Sequence, residues 1–211
     1  PFDFADQVIS KGLGLRHLVV GEDFCFGKGR SGTVKDLISL GSSMGFEVTI
    51  AELMETEIGR VSSTSIRNAL AEGRPNDAAK QLGHWHRIEG VVIGGEQRGR
   101  ELGYPTANMS LDNLHLPHLG VYAVLVDVLN GEHVGSYNGV ASLGVRPMFG
   151  ENTPNLETFI FDFSGDLYGA TLSVALVEFM RPEIKFDSLE SLIVQMDKDS
   201  LKSREILKSL K

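Results

Sequence analysis

Apolar positions in the first 83 residues alternate between helical spacing and short extended runs. The spacing predicts helices near Phe4–Lys11 and Val34–Met44, and strands at the run His17–Val20, closed by Gly21, and near Glu47–Leu53. A third helix is expected near Ser65–Glu72, stopped by Gly73 and Pro75, and Gly83 ends a further short helix carrying Ala78 and Ala79. Such alternation argues for parallel strands with crossover helices, an α/β arrangement. After His84 the rhythm changes to extended segments separated by Gly, Asn or Pro, with candidate strands at Ile88–Ile93, Val121–Leu129, Val134–Gly144, Glu157–Phe163 and Thr171–Phe179. Short strands with tight connections predict an antiparallel sheet or small closed barrel. From Ser188 to Leu210, the residues Leu189, Leu192, Ile193, Met196, Leu201, Ile206 and Leu207 form one helical face expected to pack on that barrel. The change of rhythm divides the chain into residues 1–83 and 84–211.

A length of 211 residues suits one complete domain with a smaller partner. No stretch approaches the run of about 20 apolar residues that a membrane span needs. The 28 acidic and 20 basic residues give a net charge of −8, which repels phosphate backbones and argues against nonspecific nucleic-acid or anionic-membrane partners. Any phosphate site must therefore be local. Cys25 stands alone, excluding an internal disulfide or a thiolate metal cluster, which suits a reducing cytoplasm. No secretory leader is recognised, and the opening Pro1-Phe2-Asp3-Phe4, without methionine, already reads as amphipathic helix, as expected of a truncated start.

Candidate chemistry concentrates between Gly94 and Asn108. Gly94, Gly95, Gly99 and Gly103 let a backbone bend tightly and approach a ligand, and consecutive amides in such a loop can cradle phosphate oxygens. The P-loop pattern fails, because Gly99 is followed by Arg100 and Glu101 rather than by Lys and Ser or Thr. In an extended segment Thr106 and Asn108 face the same way and present two hard oxygen donors. Magnesium favours a few such ligands completed by water and substrate phosphates. An ordinary surface turn, bent by Pro105 with Thr106 and Asn108 satisfying backbone groups, accounts for the spacing as well. No HExxH spacing, Cys/His cluster or GxSxG context supports a zinc enzyme or a serine hydrolase, and His84-Trp85-His86 reads as linker or packing.

The stretch GRELGYPTAN at residues 99–108, continued by LPHLGVYAV, resembles the signature of the riboflavin kinase family. GVASLGVRP, LETFIFDFSGDLYG and FMRPEIKFDSLESLIVQMDKDS followed by Arg204 match it in order over nearly all of residues 84–211. The resemblance implies a six-stranded antiparallel barrel with a C-terminal helix, acting on riboflavin and ATP to give FMN. It implies that Thr106 and Asn108 bind Mg2+ with the ATP phosphates, that Gly95, Gly99 and Arg100 lie in the nucleotide loop, and that Glu157 is the catalytic carboxylate. Arg181, Glu183, Lys185 and Phe186 resemble the segment that closes over the flavin, and Arg204 a helix residue near it, although a charged strand end is also what a solvated face looks like. Ser142 and Met148 depart from the asparagine and threonine frequent in the family. A noncatalytic flavin carrier or regulator is the alternative, disfavoured because it needs neither a metal site nor a base.

Residues 1–83 resemble the later part of a Rossmann-like nucleotidyltransferase domain, that of bifunctional bacterial riboflavin kinases and FMN adenylyltransferases. Asp23, Phe24 and Gly27 fall in one motif, and Ser63, Thr64 and Arg67 in another. Hydroxyls entering a helix suit a phosphate, and equally a simple N-cap. The family's opening strand and His-x-Gly-His signature are not in the sequence, so that domain is expected to be incomplete.

Overall fold

A computed structural model describes residues 1–57, 59–95, 99, 102–111, 114–148 and 151–210. The run at His17 forms strand β1 (His17–Gly21), which pairs in parallel with β2 (Glu47–Ala51). Between them lies α1 (Val34–Met44), started by a reciprocal cap between Thr33 and Asp36 and ended by Gly45 at φ 80°, where a left-handed residue is needed. This is the parallel crossover that the alternation predicts. The first helix, Phe4–Gly12, is a π-helix, so its carbonyls bond five residues ahead, as in Leu13 N–H to Val8 O at 2.8 Å. β2 stops short of Leu53, and a two-stranded ribbon of β3 (Glu55–Thr56) and β4 (Gly59–Arg60) follows. Ile9, Val20, Phe26, Val34, Leu37 and Phe46 form the core of this region.

The chain divides into two compact units, Pro1–Val61 and Ser62–Lys211. Helices α2 (Ser63–Ala71) and α3 (Pro75–Leu82) therefore group with the barrel, whereas the change of rhythm at His84 marks the approach to its first strand. In the larger unit α3 docks on the sheet through an Asn76–Glu178 hydrogen bond, and His118 N–H donates to Leu70 O at 2.8 Å.

The barrel strands are β5 (Arg87–Val91), β6 (Thr106–Ser110), β7 (Gly120–Val128), β8 (Gly135–Met148), β9 (Glu151–Ile160) and β10 (Thr171–Arg181), in the antiparallel order β5-β10-β7-β8-β9-β6. A bridge between Ile93 and Asn108, with Ile93 N–H donating to Asn108 O at 2.9 Å, brings the two edges together. The result is a nearly closed six-stranded barrel, as expected. The hydrophobic pattern yields five of these strands, because β6 is short and sits between a glycine-rich stretch and loop residues.

Inward positions alternate along each strand and build one core, with Met109, Tyr122, Val124, Leu143, Leu156, Leu172 and Leu176 all fully buried. The C-terminal helix α4 (Leu189–Lys208) covers part of the outer surface. Its packed face differs from the apolar stripe expected. Asp199, Ser203 and Leu207 are buried, whereas Leu189 and Leu201 are exposed. Polar partners supplied by the barrel explain the difference, since Ser203 donates to Gly139 O at 2.8 Å and Asp199 pairs with Arg181.

Candidate active site

Strand register builds the site. Asn108 of β6 pairs with Glu157 of β9, Glu157 with Ser142 of β8, Ser142 with Val121 of β7, and Val121 with Arg181 of β10. Because directly opposed residues share a face, these five form one row across five strands. Their sequence neighbours Met109, Leu156, Leu143 and Tyr122 belong to the core, so the row lies on the opposite face. All five line a cavity of about 350 Å³, together with Thr106 and Phe159 of the next row. Its rim comes from Leu102 and Tyr104 ahead of β6, Glu183, Ile184 and Phe186 after β10, and Leu192, Met196, Asp199 and Ser200 on α4.

The amide of Asn108 is held by its surroundings. Its Nδ2 donates to Thr106 O at 3.2 Å and its Oδ1 accepts from Asn155 Nδ2, also at 3.2 Å. Only 7% of Asn108 is exposed, so each of these bonds is protected from water. A Cβ at Gly95 would collide with this amide, and one at Gly99 with Tyr104 O, so both positions demand glycine for close approach. Gly99 O also accepts from Leu102 N–H at 3.1 Å and Tyr104 N–H at 2.7 Å, closing the turn that leads into β6.

Arg181 and Asp199 form a bidentate pair on the cavity wall, with the guanidinium Nε 3.0 Å and Nη2 2.7 Å from Asp199 Oδ2. Glu183 crosses β8 at Gly144, where any side chain would strike its carboxylate. Tyr104 packs on Phe159 with ring centroids 4.9 Å apart and donates its hydroxyl to Asp197. Loss of water around the phenol, followed by that hydrogen bond, pushes its pKa up to about 12.

The structure thus brings Glu157, Thr106, Asn108, Gly99, Arg181, Glu183 and Phe186 to one cavity, with Gly95 against Asn108. Arg204 points elsewhere: it pairs with Asp162 at 2.7 Å and stacks over Phe161, 4.2 Å from the ring centroid. This pair holds the Asp162 carboxyl below the usual range. Arg100 lies outside the described residues. Of the two departures from the family pattern, Ser142 falls in the central row of the cavity. Asn155 is the site neighbour that the sequence reading misses, although its position two residues before Glu157 on one strand is the signal that could have found it.

A second cavity, of about 270 Å³, opens where Pro105, Ala107, Ile160, Phe163 and Tyr168 converge, and Thr106 lines it too. The buried hydroxyl of Thr158, on its wall, has no hydrogen-bond partner among the described residues.

Thr106 Oγ1 and Asn108 Oδ1 are the hard oxygen donors that a magnesium ion would take, with the Glu157 carboxylate beside them. Among the described residues no cluster of three or more His, Cys, Asp or Glu could hold a metal. This donor set fits a cation whose remaining ligands come from phosphates and water.

The two motifs of residues 1–83 belong to different units. Asp23 pairs with Arg60 at 2.6 Å, Phe24 stacks on Phe26, and Gly27 takes φ 77°, all within Pro1–Val61. Ser63, Thr64 and Arg67 are exposed on α2, in the other unit, and the cap of that helix is made by Ser62 with Ser65.

Barrel, terminal helix and cavity agree with a match of residues 82–207 to the family model described as riboflavin kinase, and the chain belongs to the riboflavin kinase family. Residues 1–65 match the model described as FAD synthetase. More particularly, the chain is 41% identical over 205 residues to the bifunctional riboflavin kinase/FMN adenylyltransferase of Pseudomonas fluorescens, covering 97% of this chain and 65% of that protein. The enzyme of the same description from Listeria monocytogenes is 37% identical over 212 residues, covering all of this chain and 66% of that protein. The chain therefore spans just under two thirds of these relatives. A crystal structure described as a macrolide-efflux protein from Streptococcus pneumoniae is similar with a TM-score of 0.80 and 35% identity, over 96% of this chain and 64% of that one. Among the described residues no helix is long and apolar enough to cross a membrane.

Proposed function

We propose that residues 84–211 form a riboflavin kinase that transfers the γ-phosphoryl group of ATP to the ribityl 5'-hydroxyl of riboflavin, giving FMN and ADP. The observation that carries this reading is the row joining Asn108 to Glu157, which sets a carboxylate beside two neutral oxygen donors in one cavity. Glu157 accepts the hydroxyl proton as the ribityl oxygen bonds to phosphorus and the bond from phosphorus to the bridging oxygen of ADP breaks. Thr106 and Asn108 hold Mg2+ with the phosphates, and the ion, when bound, neutralises phosphate charge. Gly95, Gly99 and Arg100 form the nucleotide loop. Thr106 borders both cavities, which suits a phosphate chain crossing at that residue, with the nucleoside on the Pro105–Tyr168 side and the flavin under Arg181, Glu183 and Phe186. Arg204 on α4 is the further residue placed beside the flavin, its guanidinium held by Asp162 and Phe161.

A second activity is supported by the FAD synthetase match over residues 1–65. In a parent protein, residues 1–83 contribute Asp23, Phe24, Gly27, Ser63, Thr64 and Arg67 to an FMN adenylyltransferase that makes FAD. Both activities draw on small cytoplasmic metabolites.

Mixing the chain with riboflavin, ATP and Mg2+ should yield FMN and ADP in equal amounts. Asn108→Leu should lower turnover by about 10- to 100-fold, with a raised magnesium requirement. Flavin binding without ATP consumption would instead identify a carrier.

A further inference from the structure

We infer that Asn155 is a positioning residue that ties the carboxylate of Glu157 to the amide of Asn108, an inference that rests on the phosphotransfer reading above. Asn155 stands two residues before Glu157 on β9, so both side chains leave the strand on one side. Its Nδ2 lies 3.2 Å from Glu157 Oε1 and 3.2 Å from Asn108 Oδ1. The orientation of both amides follows from hydrogen-bond chemistry. Thr106 O can only accept, so Asn108 must turn Nδ2 toward it, which leaves Oδ1 facing Asn155. An ionised carboxylate can only accept as well, so Asn155 must present Nδ2 to Glu157. One NH2 group, with two hydrogens, serves both acceptors.

Two consequences follow. Asn155 engages one lone pair of Asn108 Oδ1 and leaves the other for a cation, while fixing the amide so that oxygen rather than nitrogen is offered. It also donates to Glu157 Oε1, which orients that carboxylate beside Asn108. A residue outside the cavity's lining thereby sets the geometry of both working groups.

The test compares Asn155→Asp, which keeps the size but replaces the donor by a second carboxylate, with Asn155→Gln, which keeps the NH2 group. Steady-state FMN formation, magnesium titration and melting temperature are measured for each, alongside Glu157→Gln. Asn155→Asp should lose about 10- to 100-fold in kcat and need more Mg2+, with the riboflavin KM little changed and melting as in the parent. Asn155→Gln should recover a measurable part of both losses. Parental kcat and magnesium dependence in Asn155→Asp, with Glu157→Gln inactive, overturns the inference while leaving the assigned base intact. Equal losses in both Asn155 variants accompanied by a lower melting temperature reduce the residue to a structural role and overturn it too. Parental activity in Glu157→Gln removes the base itself, and the inference with it.

Discussion

The barrel and the smaller unit join their strands in different ways, antiparallel neighbours in one and a parallel pair across a helix in the other. The barrel curls six strands until its edges meet at Ile93 and Asn108, so every inward side chain has neighbours and a single register relation lines up Asn108, Glu157, Ser142, Val121 and Arg181. The smaller unit pairs two parallel strands, β1 and β2, through the crossover helix α1, around a core of Ile9, Val20, Phe26, Val34, Leu37 and Phe46. A closed sheet defines a site through its own hydrogen-bond ladder. A parallel pair instead sets a motif residue in the loop past a strand end, as with Asp23 two residues after β1.

The sharpest way to break this contrast is Glu157→Gln, which should cut FMN formation by about 100- to 10,000-fold with unchanged melting; a fold-intact variant at parental rate removes the barrel's claim to the chemistry. Next is Arg181→Ala, which leaves the buried Asp199 without its ion-pair partner and with the hydrogen bond from Gln195. It should destabilise the barrel by about 3–5 kcal/mol, read by denaturant unfolding. Leu37→Ala, in the core of the smaller unit, should cost about 2–5 kcal/mol locally while kcat and KM for riboflavin hold steady. A parallel fall in kinase activity would mean that the barrel depends on its neighbour.

The smallest effect concerns alkaline pH. The folded pKa of Tyr104, about 12, lies above the ordinary value of 10.0, so the neutral phenol contributes stability below pH 10 that is lost as pH rises through 12. Tyr104→Phe should flatten that part of the stability profile, checked by melting curves between pH 9 and 12.

Periodicity alone supplied most of the fold, because both the parallel crossover and the antiparallel strands follow from local pattern and turn residues. The short strand carrying Thr106 and Asn108 escaped it, since five residues beside a glycine stretch carry too little alternation. Family motifs singled out residues that the fold gathers at one cavity, yet their row was not legible, because register depends on partners up to tens of residues away. Arg204 illustrates the limit. A helix position shared with the family gave no warning that Asp162 and Phe161 would capture the side chain. Likewise, the stripe of leucines on the last helix did not anticipate that Asp199 and Ser203 would face inward.

Asn108 does two jobs at once, its carbonyl latching the barrel seam and its side chain facing the pocket. Whatever grips that amide also resists parting of the seam, so substrate occupancy and barrel breathing become reciprocal. The amide proton of Ile93 is a natural reporter and should exchange more slowly with solvent as the pocket fills.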